Sequence, residues 1–74
     1  MEVRIGVQNV AREITFESEQ TADEVRAVVT AALAGGEVLT LVDDKGRLVI
    51  VPTRALGYVH LGESEKSRFG FGTS

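Results

Sequence analysis

The chain has 74 residues, a net charge of −3 from 8 basic and 11 acidic side chains, and no cysteine. A single domain of this length buries only about 60% of its unfolded surface and is marginally stable by itself. The lack of cysteine excludes disulfides, thiolate metal sites and thiol nucleophiles, and the acidic balance disfavours binding to nucleic acid.

The first residues begin a strand and do not resemble a signal peptide. Met1-Glu2-Val3-Arg4 alternates apolar and polar side chains. No apolar run approaches the roughly 18 residues of a membrane span. The sequence therefore predicts a cytoplasmic protein that does not contact a membrane.

The N-terminal third of the chain predicts a β-hairpin. Glu2 to Gln8 alternates polar with apolar residues, and Ala11 to Glu17 does so again after a turn near Asn9. Gly6 interrupts the first strand without a side chain, which is typical of a bulge or of a close backbone approach. We expect the apolar members of both strands to face the core: Val3, Ile5, Val7, Ile14 and Phe16.

A helix is predicted from Ala22 to about Ala34. Thr21 is followed three residues later by Glu24, directly before an apolar stripe, and this is the pattern of a capping box. Gly35 is predicted to end the helix in the left-handed conformation. The stripe that would pack on the core consists of Val25, Val28, Val29, Ala32 and Leu33.

A second hairpin is predicted around the sequence Asp43-Asp44-Lys45-Gly46, with Gly46 at positive φ. Its strands run from Glu37 to Val42 and from Arg47 to Val51, and their apolar character places them at the centre of the sheet. Pro52 cannot donate to a ladder and ends the fourth strand. After a short turn, Gly57 to Leu61 is predicted to be the last strand.

These elements predict an α+β fold in the order ββαβββ. We expect one domain over residues 1–62, with a single, mostly antiparallel sheet and the helix packed on one of its faces. Residues 63–74 are polar and small and then alternate Phe with Gly. This segment is predicted to be a flexible C-terminal tail.

Six segments spread over nearly the whole chain carry a resemblance to a known family. They are the opening Met1-Glu2-Val3-Arg4-Ile5-Gly6-Val7, the helix start Gln20-Thr21-Ala22-Asp23-Glu24-Val25, Leu39-Thr40-Leu41, Asp43-Asp44-Lys45-Gly46-Arg47, Tyr58-Val59 and Arg68-Phe69-Gly70-Phe71-Gly72. In these segments the chain resembles a family of short actinobacterial proteins of unknown function. Some members of that family carry an ATP-binding label, but the resemblance carries over no catalytic or ligand residues to this sequence.

The residues themselves do not supply a phosphate loop or a catalytic group. Gly35-Gly36 follows a helix, whereas a phosphate cradle precedes one. The one histidine, His60, lies in a predicted strand without a neighbouring nucleophile. Asp43 and Asp44 have the sequence context of a tight turn rather than of a cation site. We therefore predict no enzyme activity and no catalytic, cofactor-binding or metal-binding residues.

The tail carries the most unusual feature, two aromatic residues beside an arginine. Arg68, Phe69 and Phe71 are either part of a chain end or of an arm that packs on its own sheet, or they are anchors that bind a partner. The adjacent edge strand with Tyr58 and His60 would add main-chain pairing to such a contact. We predict a non-enzymatic protein-interaction module that binds an unidentified protein or a second copy of itself.

Two other functions stay open at this point. The order of elements resembles a β-grasp carrier of the ubiquitin-like or sulfur-carrier type, although the chain ends Gly72-Thr73-Ser74 instead of in a Gly-Gly carboxylate. A weak nucleotide- or anion-binding protein is the other alternative. It would require Arg4, Arg12 and Arg47 to converge on one face.

Overall fold

The computed structural model describes residues 1–62. The predicted tail, with Arg68, Phe69 and Phe71, lies outside the described residues. The α+β class and the order ββαβββ are confirmed. The elements are β1 (Glu2–Val7), β2 (Ile14–Glu17), α1 (Ala22–Gly35), β3 (Val38–Val42), β4 (Leu48–Pro52), a 3-10 turn (Thr53–Ala55) and β5 (Leu56–Gly62).

The described strands form two antiparallel sheets, where the sequence predicted one. The first has the strand order β2-β1-β5, and the second is the β3-β4 hairpin. The 3-10 turn directly after Pro52 redirects the chain, so that β5 pairs with β1 instead of continuing the sheet of β4. Alternation within a strand specifies its two faces but not its neighbours, and it therefore could not predict this division.

β1 is the central strand of the first sheet. Val3 lies opposite Phe16 on β2 and Leu61 on β5, and Ile5 lies between Ile14 and Val59. Val3 and Ile5 are fully buried, and Val7, Ile14 and Phe16 pack against the core, as predicted.

The turn and the glycine of the first hairpin also behave as predicted. Asn9 adopts the left-handed conformation with φ 65° between β1 and β2. The register of β1 against β5 shifts between Gly6 and Val7. Gly6 therefore marks an irregularity in the ladder, as glycine inside a strand often does.

The capping box at the start of α1 is confirmed. Thr21 Oγ1 accepts a hydrogen bond from the Glu24 amide at 3.1 Å, and Glu24 Oε1 accepts one from the Thr21 amide at 2.9 Å. The prediction of a left-handed Gly35 is wrong. The helix includes Gly35 and is capped by Gly36 at φ −85°, because the chain passes directly into extended backbone before β3.

The apolar stripe of α1 is narrower than predicted. Val25 and Ala32 are buried, and Val28 and Val29 pack beside them. Leu33, however, is 60% exposed, contrary to the prediction. Successive helical residues are about 100° apart, so that a helix resting on Val25 and Ala32 turns Leu33 away from the core.

The core lies between the first sheet, α1 and one side of the β3-β4 hairpin. Each of these elements contributes two or three buried aliphatic side chains, and no single element dominates. Its buried members are Val3, Ile5, Val25, Ala32, Leu39, Leu41 and Val51.

The turn between β3 and β4 is held by one carboxylate. Asp43 Oδ1 accepts hydrogen bonds from the amides of Lys45 and Arg47, and Oδ2 accepts one from Arg47 Nε, each at 2.8 Å. The backbone hydrogen bond from Arg47 is the largest of the effects that lower the pKa of Asp43. Gly46 has φ +80°, as predicted, so the Asp-Asp-Lys-Gly sequence acts as a turn.

Candidate functional site

The outward side of the three-stranded sheet is polar. Because Val3 and Ile5 face the core, their neighbours along β1 point away from it. Tyr58 and His60, both predicted partner-binding residues, lie on this outward side of β5, opposite Gly6 and Arg4 of β1. We call this surface the polar sheet face; it consists of Glu2, Arg4, Glu13, Thr15, Tyr58 and His60.

Side chains of the polar sheet face are bonded to one another. The Tyr58 hydroxyl donates a hydrogen bond to Glu13 Oε2, and this bond is the main reason why the pKa of Tyr58 is raised. Arg4 Nε lies 3.3 Å from Glu2 Oε1, and Arg4 Nη1 lies 3.9 Å from Glu13 Oε1. The charges and hydroxyl of this network already have partners within the chain.

Gly6 makes room for Tyr58. A Cβ atom at Gly6 would overlap the Tyr58 ring. The Tyr58 ring thus covers the backbone of β1 at this glycine, so the group that approaches Gly6 closely is a side chain.

Among the described residues of this face, no serine or threonine hydroxyl lies next to His60. In the row across the sheet, Arg4 lies between His60 and Thr15. Two strand spacings separate the histidine from the threonine hydroxyl by about 10 Å, which is too far for a base to activate it. The arrangement does not form a catalytic pair.

The three arginines of the anion alternative do not share one sheet. Arg4 belongs to β1 and contacts acidic side chains, whereas Arg47 follows the second hairpin turn and is bonded to Asp43 at 2.8 Å. Arg12 lies in the connection between β1 and β2. Within residues 1–62, no group of three or more histidine, aspartate or glutamate side chains could hold a metal ion.

The outward side of the β3-β4 hairpin is apolar, and this is the surface that the sequence analysis missed. Cross-strand pairing places Val38 with Pro52, Thr40 with Ile50, and Val42 with Leu48 on one side. The exposed fractions are 45% for Val38, 43% for Val42, 62% for Leu48 and 57% for Ile50. We call these six residues the apolar hairpin face; no residue of β3 or β4 carries a charge.

A signal for this surface was present in the sequence. β3 and β4 are nearly continuous apolar runs, whereas β1 alternates apolar with charged or polar residues. A continuous run favours a strand with both sides covered. Here only the inner side is covered, by the packing of Leu39, Leu41 and Val51 into the core.

The apolar hairpin face continues into an open depression of about 450 Å³. Val38 and Pro52 belong to both. The depression is also lined by Thr53, whose hydroxyl is within hydrogen-bond distance of the carbonyls of Gly36 and Glu37, at 3.1 and 3.2 Å. Glu37 and Arg54 add one charge of each sign to the lining.

A family model described as "Protein of unknown function (DUF3107)" matches residues 1–72. The chain belongs to this family. The DUF3107 match continues beyond β5 and takes in Arg68, Phe69 and Phe71. A search of the curated proteins finds no match. Within residues 1–62, no helix has the length and apolar character needed to cross a membrane.

Proposed function

We propose that the chain is a non-enzymatic protein-interaction module whose binding surface combines the apolar hairpin face with the C-terminal segment 63–74. The observation that carries this proposal is the exposure of Leu48 and Ile50, 62% and 57%, on a sheet side without charge. Single exposed apolar residues are common, but several gathered on one flat side are typical of an interaction surface.

Covering this face would stabilise a complex measurably. Full burial of a Leu or Ile side chain is worth about 1.5 to 3 kcal/mol, and roughly half of that remains to be gained at Leu48 and Ile50. By contrast, Arg4 and Tyr58 on the polar sheet face are bonded to acidic side chains of the same chain. A partner would have to replace those bonds before it gained any free energy there.

The proposal includes the partner-binding residues that the sequence predicted in the tail and on β5. Arg68, Phe69 and Phe71 belong to residue types that are enriched in protein interfaces. In the described residues β5 has β1 as its one neighbour, so the backbone beside Tyr58 and His60 is an open sheet edge to which an extended partner segment would pair. We also propose a cytoplasmic location, supported by a sequence without cysteine.

The two alternative functions have less support. β5 pairs antiparallel with β1, whereas a β-grasp carrier places its first and last strands side by side in parallel. Nucleotide or anion binding would need free cations, and both Arg4 and Arg47 are engaged by carboxylates. No observation on the described residues favours either of them over a protein-binding surface.

Site-specific photo-crosslinking in the native host tests the proposal. A photoreactive residue at Leu48 should crosslink one saturable protein partner or a second copy of the chain. The matched control position is Leu33 on α1, which is 60% exposed, against 62% for Leu48. The proposal is wrong if Leu33 gives the same products, or if Ile50→Ser leaves the Leu48 products unchanged.

A further inference from the structure

We infer that β5 pairs antiparallel with β5 of a second copy, so that two chains form one six-stranded sheet in the order β2-β1-β5-β5-β1-β2. This inference rests on the proposed function in one respect, since it names the extended segment that pairs with the open edge of β5. The apolar hairpin face lies on β3 and β4 and takes no part in the pairing. Three observations carry the inference: the outward backbone groups of β5, the lack of protection along its edge, and the fit of the strand to itself.

Hydrogen bonding at the start of β1 shows how the backbone groups of this strand alternate. Met1 and Ser18 exchange two hydrogen bonds, from the Met1 amino group to the Ser18 carbonyl at 3.0 Å and from the Ser18 amide to the Met1 carbonyl at 2.8 Å. In an antiparallel ladder, such pairs alternate with pairs that are not hydrogen-bonded. Odd-numbered residues of β1 therefore bond to β2, and even-numbered residues turn their N–H and C=O groups towards β5.

The register of β1 against β5 extends this alternation to the edge of the sheet. The even-numbered residues of β1 pair with Tyr58, His60 and Gly62. These three residues of β5 therefore bond to β1, and the two residues between them, Val59 and Leu61, turn their N–H and C=O groups outward. Within residues 1–62, β1 is the one strand that pairs with β5. Val59 and Leu61 thus present two donors and two acceptors along the open edge.

β5 lacks the features that protect the opposite edge of the sheet. β2 has only four residues, its last residue Glu17 is charged, and the Glu17 carbonyl accepts a hydrogen bond from the Asp44 amide at 2.8 Å. β5 has seven residues, without proline, lysine, arginine or a carboxylate. Edges that stay unpaired in native proteins are usually short, charged, interrupted by proline or covered. The long, uncharged edge of β5 is therefore suited to pairing with another strand.

The outward groups of β5 fit those of a second β5 in one register. β5 is regular from Tyr58 to Gly62, because the shift against β1 lies before these residues. A two-fold axis through His60, perpendicular to the sheet, places Val59 of each copy opposite Leu61 of the other. Each of these two pairs exchanges two hydrogen bonds, so every outward N–H and C=O group of the regular segment is used. An axis through Val59 or Leu61 leaves one of these two residues without a partner in the regular segment.

The side chains of the two strands are compatible on both sides of the joint sheet. On the core side, Val59 and Leu61 are half-buried and pack against the core of their own chain. Placing each beside the other covers apolar area that one chain leaves exposed. On the outward side, Tyr58 of each copy lies opposite Gly62 of the other, which leaves room for the ring. The two His60 side chains meet at the axis, and β5 brings no lysine, arginine or carboxylate to the interface.

Cysteine crosslinking of the full chain tests the register. The chain has no cysteine, so each variant carries one thiol. His60→Cys should form an intermolecular disulfide under mild oxidation, because the Cα atoms of a directly opposed pair of this type are about 4.5 Å apart. Tyr58→Cys is the matched control on the same side of β5. Its two copies lie four residues apart along the strands, about 13 Å, and should stay reduced. The inference is overturned if His60→Cys does not crosslink, or if Tyr58→Cys crosslinks equally.

Sedimentation of the full chain gives an independent measurement. We expect a reversible dimer for the unchanged chain and for His60→Thr, since threonine is uncharged and favours strands. His60→Lys should weaken dimerisation about fivefold or more, because two ammonium groups would then oppose each other beside Arg4 of each copy. His60 is exposed, so both variants should fold, which circular dichroism checks. A monomeric unchanged chain, or equal dimerisation of the two variants, would contradict the inference. Loss of the Leu48 crosslink with the β5 dimer intact would contradict only the proposed function.

Discussion

The two outward sheet faces differ in whether their side chains have partners within the described residues. On the polar sheet face, Tyr58 is bonded to Glu13, and Arg4 contacts Glu2 and Glu13, so that the groups exposed to water are also partners of one another. On the apolar hairpin face, Leu48 and Ile50 remain more than half exposed. Tyr58 and Arg4 on the first face thus already have partners, whereas association would bury apolar side chains of the second face.

This difference bears on which surface of residues 1–62 is the better candidate for binding. The sequence predicted that Tyr58 and His60, both with titratable side chains, bind a partner. The Tyr58 hydroxyl is bonded to Glu13, and Arg4 lies between His60 and Thr15 in the row across the sheet. The aliphatic side chains of the hairpin are the better candidate for a binding surface, because covering exposed apolar area is favourable.

The largest expected effect on stability distinguishes the inner side of the hairpin from its outer side. Leu39→Ala removes a side chain that is 1% exposed on the inner side and should lower the free energy of unfolding by about 2 to 5 kcal/mol. Ile50→Ala on the outer side should cost about 1 kcal/mol or less. Chemical denaturation measures both. Equal losses would show that the two sides of the hairpin are buried alike.

The next effect concerns the close contact on the polar sheet face. Gly6→Ala places a methyl group where the Tyr58 ring lies, and should cost about 1 to 3 kcal/mol by overpacking. Gly35→Ala is the matched control, because nothing lies within 4 Å of a Cβ atom there. It should leave stability unchanged or raise it. A tolerated Gly6→Ala would mean that Tyr58 does not rest on β1.

A smaller, pH-dependent effect belongs to the hairpin turn. Because hydrogen bonds lower the pKa of Asp43 in the folded chain, its stabilising effect is complete above its unfolded pKa of about 3.9. The effect is lost as the pH falls through the lowered value. Asp43→Asn should reduce the melting temperature at neutral pH and flatten its decline in acid. Asp44→Asn, at an exposed neighbour, should change neither.

The last prediction concerns the pKa of Tyr58 on the polar sheet face, where we expect the smallest effect on stability. The hydrogen bond to Glu13 raises the pKa of Tyr58, so Glu13→Gln should return it towards the usual value of about 10. Phenolate absorbance reports this residue alone, because the chain has one tyrosine. Glu19→Gln, at an exposed position outside the network, serves as the control. An unchanged titration in Glu13→Gln would contradict the hydrogen bond.

The sequence by itself determined the features that depend on neighbouring residues. The capping box of Thr21 and Glu24, the positive φ of Gly46 and the inward set of β1 each follow from side chains a few positions apart. Such features form wherever the local backbone can satisfy its own hydrogen bonds, and they were predictable for that reason.

Only the tertiary structure decided which surfaces remain open. The pairing of β1 with β5 joins residues 49 to 60 positions apart and leaves β3 and β4 as a separate hairpin. An apolar run cannot specify whether one or both of its sides will be covered, since that depends on how many layers the chain can supply. In this chain α1 and the first sheet cover the inner side alone, and the outer side with Leu48 and Ile50 is left exposed within the described residues.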